Sequence, residues 1–104
     1  MAEELTEDGF DGAVAQGVKI VDFWAPWCGP CKMLGAILEK MDGDIAALGA
    51  SLCKVNVDEQ PGLAVRFEVM SIPALLFFKD GAQVLRLDGL QRPDDILAAL
   101  KSVL

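Results

Sequence analysis

Residues 18–25, "VKIVDFWA", are apolar on both alternating faces of an extended chain, apart from Lys19 and Asp22. A strand with one apolar face can border water. A strand apolar on both faces has to be covered on both, as the centre of a sheet flanked by helices. The flanking sequence supplies that cover. Leu34, Ile37, Leu38, Met41, Ile45 and Leu48 recur at spacings of three and four and predict one buried face of a helix starting near Cys31.

The other elements follow the same logic. Ala2–Leu5 reads as a short edge strand, and Thr6 as the N-cap of a helix that runs to about Ala15 and stops at Gly17. Leu52–Val57 is a second buried strand, and Gly62–Phe67 a short helix. The runs Ala74–Phe78 and Gln83–Leu87 flank "KDGA", whose Asp80–Gly81 pair signals a hairpin. Pro93 suits a first helical position, with Asp94 and Asp95 at the positive end of the helix dipole. Ile96, Leu97, Leu100, Val103 and Leu104 form that helix's buried stripe. The predicted order is β-α-β-α-β-α-β-β-α. Helical crossovers make the early strands parallel and the hairpin makes the last pair antiparallel, giving an α/β mixed sheet with helices on both faces.

A chain of 104 residues has room for one domain, read as spanning 1–104, and a substantial core. Its 53% apolar and 24% charged residues are those of a globular protein, with no apolar run near the ~20 residues of a membrane span. The start "MAEELTEDG" has neither the basic beginning nor the apolar stretch of a secretory signal, so a cytoplasmic setting is expected. Net charge is −7, and the nine basic residues are scattered, which argues against a nucleic-acid partner.

Cys28 and Cys31 follow the central strand and open the next helix. Strand ends in α/β sheets are where chemistry collects. A helix N-terminus offers unpaired N–H groups that stabilise a thiolate. Pro30 is tolerated there, and Gly29 lets a partner backbone approach. Three uses of the pair compete. A metal site needs about four ligands, and only Cys53 remains in a chain without histidine. A structural disulfide fits poorly with a reducing compartment. Redox chemistry is the reading the residues favour.

"WAPWCGPCK", Trp24–Lys32, resembles the active-site motif of the thioredoxin family. "VDFWA", "KVNVD", "SIPALLFFKDG" and "DGL" fall at that family's places, so the resemblance covers essentially the whole chain. It implies the thioredoxin fold, a central five-stranded mixed sheet flanked by four helices, and supplies the strand order. It also implies a thiol-disulfide oxidoreductase, a protein-disulfide reductant serving electron transport and cell redox homeostasis through a Cys28–Cys31 dithiol/disulfide. The implied partners are disulfide-containing proteins and a thioredoxin reductase that draws on NADPH. No cofactor or metal is implied on a chain that works as a monomer.

The resemblance assigns further roles. Asp22, which burial alone would give a raised pKa, becomes a buried base that takes a proton from Cys31. Its ordinary alternative is a partly exposed acid bonded to a backbone N–H. Lys54, which faces away from the side of Cys53 and Val55, becomes the lysine that tunes that acid. Pro73 becomes a cis-proline against the cysteine pair, shaping the substrate groove and keeping metals away. Trp27, Gly29, Pro30, Met70, Ile72, Gly89 and Leu90 become the redox loop and docking patch. Trp24 reads as packing and Cys53 as an inert buried thiol.

Three positions depart from the family pattern. Ala36 stands where many relatives have a helix-kinking proline, so a straighter helix is expected. Asp88 stands where an apolar residue is common, putting a negative charge beside the patch that should weaken acidic partners and shift the choice of reductase. Ala74 replaces a frequent threonine. A different use of the same fold is a non-catalytic binding subunit, which would need neither cysteine nor Asp22.

Overall fold

The computed structural model describes residues 2–104. Its elements run β1 (Glu3–Glu4), α1 (Phe10–Val14), β2 (Val18–Trp24), α2 (Gly29–Ala47), β3 (Ala50–Asn56), α3 (Pro61–Arg66), β4 (Ala74–Lys79), β5 (Ala82–Asp88) and α4 (Pro93–Val103). The sheet order is β1-β3-β2-β4-β5, which puts the doubly apolar strand β2 at the centre. β2 pairs parallel with β3, setting Asp22 opposite Lys54, and antiparallel with β4, setting Val21 opposite Leu76.

The alternation along β2 divides the core. Val18 and Ile20 pack with Leu34, Leu38, Met41 and Ile45 of α2 and with Ile96 and Leu100 of α4. Val21 and Phe23 pack on the opposite face with Phe10 and Val14 of α1 and Leu63 of α3. Asp22 shares the parity of Val18 and Ile20, so it points to the α2 face. The hairpin turns through Asp80 (φ 50°) and Gly81 (φ 88°), both left-handed as a primed two-residue turn requires. Asp80 Oδ1 also accepts from Gly17 N–H at 2.8 Å, tying the hairpin to the turn before β2.

The N-terminal region differs from expectation. The strand covers Glu3–Glu4 only, and Leu5 turns into the core. Thr6 Oγ1 accepts from Gly9 N–H at 3.1 Å, as an N-cap would. The helix nevertheless begins only after Gly9, and it ends at Val14. Glu7 explains the delay: its N–H donates to Gln60 Oε1 (2.8 Å) and its carboxylate accepts from Gly62 N–H (2.6 Å). Those bonds hold the segment against the start of α3. At the other end, Leu104 lies beyond α4 and is 48% exposed, so the buried stripe stops short of it.

Candidate active site

The helix α2 starts at Gly29, with Cys28 in extended conformation as its N-cap. Cys28 Sγ accepts from Cys31 N–H at 3.2 Å, and the Cys28 carbonyl accepts from Lys32 N–H at 3.2 Å. The sulfur therefore occupies the place a capping oxygen would take, facing the helix's unpaired N–H groups. Cys28 and Cys31 are joined as a disulfide, with Cα atoms 5.2 Å apart. Cys31, in the first turn of α2, is buried. Cys28 reaches the surface at one edge, where it lines a groove of about 520 Å³.

That groove has two walls. One is Trp27 with Val57 and the α3 residues Pro61, Ala64 and Val65; the other is Val69, Met70, Ser71 and Ile72. Trp27 is 70% and Met70 95% exposed. Trp27 is not a loose flap: its Nε1–H donates to Asp58 Oδ2 at 2.9 Å, and Asp58 N–H donates to Asn56 Oδ1 at 3.0 Å. The Ile72 carbonyl oxygen lies 4.0 Å from Cys28 Sγ, and the Ile72–Pro73 bond is cis. Gly29, Pro30, Pro73, Gly89 and Leu90 do not line the groove itself. Gly89, at φ 85°, donates its N–H to the Pro73 carbonyl at 2.9 Å, which attaches the loop after β5 to the cis-proline.

Asp22 is buried to 1% exposure, and both of its carboxylate oxygens lack a hydrogen-bond partner among the described residues. The backbone-bonded alternative is thus not what the fold builds. Loss of water pushes the carboxyl up to about 7; the Lys54 ammonium pulls against that rise and Glu4 adds to it. Lys54 Nζ also sits 4.2 Å over the Trp24 ring, so this lysine is shared between the acid and the indole. Trp24 packs on Cys28 and Cys31 as expected, and supplies that cation platform as well.

Asp88 is not a free charge: its Oδ1 lies 2.8 Å from Arg86 Nε. Cys53 is a free thiol in the α1–α3 core cluster, apart from the cysteine pair, and burial pushes it up to about 11. Among the described residues, no group of three or more His, Cys, Asp or Glu side chains is disposed to hold a metal.

Sequence reading passed over Asp58 and the α3 wall. Pro61, Ala64 and Val65 recur at i, i+3 and i+4, an apolar stripe separate from the buried Leu63, and that second stripe on a short helix was the available signal.

A disulfide capped by a helix N-terminus and open to an apolar groove can exchange its bond with that of a chain lying in the groove. A protein so built is a thiol-disulfide oxidoreductase. Comparison with known proteins agrees. The family model described as Thioredoxin matches residues 1–102. The chain is 46% identical over 97 residues to the thioredoxin of Staphylococcus haemolyticus, covering 93% of this chain and 92% of that protein. It is 44% identical over 97 residues to the thioredoxin of Staphylococcus aureus, with the same coverage. Among solved structures it superimposes on the Malassezia sympodialis thioredoxin Mala s 13 with a TM-score of 0.88, at 33% identity over 97% of this chain and 91% of that one. The chain belongs to the thioredoxin family, whose members are protein-disulfide oxidoreductases. None of its described helices is long and apolar enough to cross a membrane.

Proposed function

We propose that the chain is a general protein-disulfide reductant in which Cys28 attacks, Cys31 resolves and Asp22 handles the proton. In the reduced protein, the Cys28 thiolate attacks one sulfur of a disulfide held in the groove. A mixed disulfide forms, and the other substrate sulfur leaves as a thiolate and takes up a proton. Cys31 gives its proton to Asp22 and attacks Cys28 Sγ, which releases the second substrate thiol and leaves Cys28–Cys31 oxidised. The substrate disulfide has gained two electrons from the protein and two protons, one from Cys31 passed on by Asp22 to the departing thiolate and one from solvent, which received the Cys28 proton when its thiolate formed. An external thioredoxin reductase fed by NADPH restores the dithiol, and the chain works as a cytoplasmic monomer.

The observation that carries this reading is the Cys31 N–H aimed at Cys28 Sγ at the edge of the groove. Thiolate stabilisation alone contributes little. A cysteine whose pKa falls from ~8.5 to ~7, the reference value for thioredoxin, goes from roughly 3% to about half thiolate at pH 7. That gain of about 15-fold is reduced by roughly 5-fold because nucleophilicity falls with pKa. A net factor of about three leaves docking and alignment to supply the larger share. An Asp22 carboxyl near 7 is half ionised at neutral pH, which suits a group that must accept a proton and later return it.

Turnover tests the reading. With insulin, NADPH and a thioredoxin reductase, NADPH loss should require Cys28 and stop in Cys28→Ser. Activity with dithiothreitol but not with the reductase would reassign the partner. Inactivity with both would favour the binding subunit.

A further inference from the structure

We infer that Arg86 and Asp88 are positioning residues for the docking groove, fixing the Phe67–Ile72 wall beside Cys28; this rests on the groove being where substrate docks. Arg86 stands on the edge strand β5 and is partly buried. Its Nη1–H donates to two backbone carbonyls, Phe67 O and Glu68 O, both at 3.1 Å. Those carbonyls close the C-terminal end of α3, where a cation is favoured by the dipole. Glu68 then takes the left-handed conformation, φ 55°, that turns the chain from α3 into the opposite wall. The two walls meet at this bend, so the angle between Val65 on one and Met70 on the other depends on it.

Asp88 completes the device. Its carboxylate accepts from Arg86 Nε at 2.8 Å, which orients the guanidinium toward the bend. The next residue, Gly89, donates to the Pro73 carbonyl. A continuous set of bonds thus runs from the loop after β5, through Arg86, to the turn between the groove walls. Asp88 is therefore part of a fixture for the groove, where the sequence suggested only a charge beside it. A planar fork serves three acceptors at once, which a lysine's point charge on a flexible stem does not.

The test compares a protein disulfide, which needs the groove, with hydroxyethyl disulfide, which is small enough to reach Cys28 without it. Arg86→Ala should raise the KM for insulin about tenfold while leaving the hydroxyethyl disulfide rate within about twofold of the parent. Arg86→Lys should fall between. Asp88→Ala, which keeps the carbonyl bonds, should raise the KM less. Hydrogen exchange should accelerate at Glu68 and Val69, whose amides bond to Val65 O and Ala64 O. Val65→Asp is the control on the groove. If Val65→Asp raises the insulin KM and Arg86→Ala does not, this inference alone fails. If Val65→Asp has no effect, docking lies elsewhere and both readings fail. Equal losses with both disulfides in Arg86→Ala would mean general loosening and would overturn the positioning role.

Discussion

Two residues with raised pKa values lie in adjacent strands, and their surroundings give them opposite fates. Asp22 is held near 7 by burial on the α2 face, opposed by Lys54 across the β2–β3 register. Cys53 is pushed to about 11 on the other face, bordered by apolar core. The acid titrates where the protein would work and the thiol does not. Asp22→Asn should slow resolution of the mixed disulfide by about 100-fold, at the low end of what a general base contributes. The wild-type rate should rise with pH through an inflection near 7 that the variant lacks. Stopped-flow tryptophan fluorescence in single turnover would read both. Cys53, about one part in a thousand ionised at pH 8, should resist iodoacetamide in the reduced native protein while Cys28 is labelled. Mass spectrometry with and without denaturant would show the difference.

Helix α2 carries the site on its first turn and the core on its length. It runs unbroken for 19 residues through Gly35 and Ala36. A Cβ built at Gly35 or at Gly43 meets nothing within 4 Å. Gly35→Ala and Gly43→Ala should therefore each stabilise the fold by about 0.5–1 kcal/mol, read as a higher denaturation midpoint at unchanged slope. Periodicity made this helix legible, as it did β2, because both bury long regular stripes. It failed around Thr6, where long-range bonds from Glu7 to Gln60 and Gly62 outweigh a local capping preference. The cysteine pair and Asp22 were visible from residue type and place. The groove was only half visible, since its α3 wall and the Trp27–Asp58 bond come from segments about 30 residues apart in sequence that only the fold brings together. Arg86 was invisible for the same reason: its acceptors are backbone carbonyls, which leave no mark in composition.

For the molecule as a whole, a buried acid at the centre of the sheet sets stability against function. The folded state holds the Asp22 proton up to about 7, whereas an unfolded chain releases it near 3.8. Between those values the folded state binds more protons, so Asp22's contribution makes stability fall as pH rises from about 4 to 7, then level off. The shift corresponds to a loss on the order of 4 kcal/mol, a large part of a small domain's total. Asp11, paired with Arg66 at the surface, acts in the opposite sense: its pKa is lowered, and what it adds is lost as pH drops through that value. The net charge of −7 adds a diffuse repulsion that also grows with pH, so one melting curve would not isolate the buried acid. The comparison with Asp22→Asn does, because surface charges are common to both proteins. The variant should be more stable by about 2–4 kcal/mol at pH 8, and the gap should close by pH 4. Urea unfolding of the oxidised proteins across that range measures it. A gap that does not change with pH would place the cost of Asp22 in packing rather than in charge, and would remove the physical basis for treating it as a proton acceptor near neutrality.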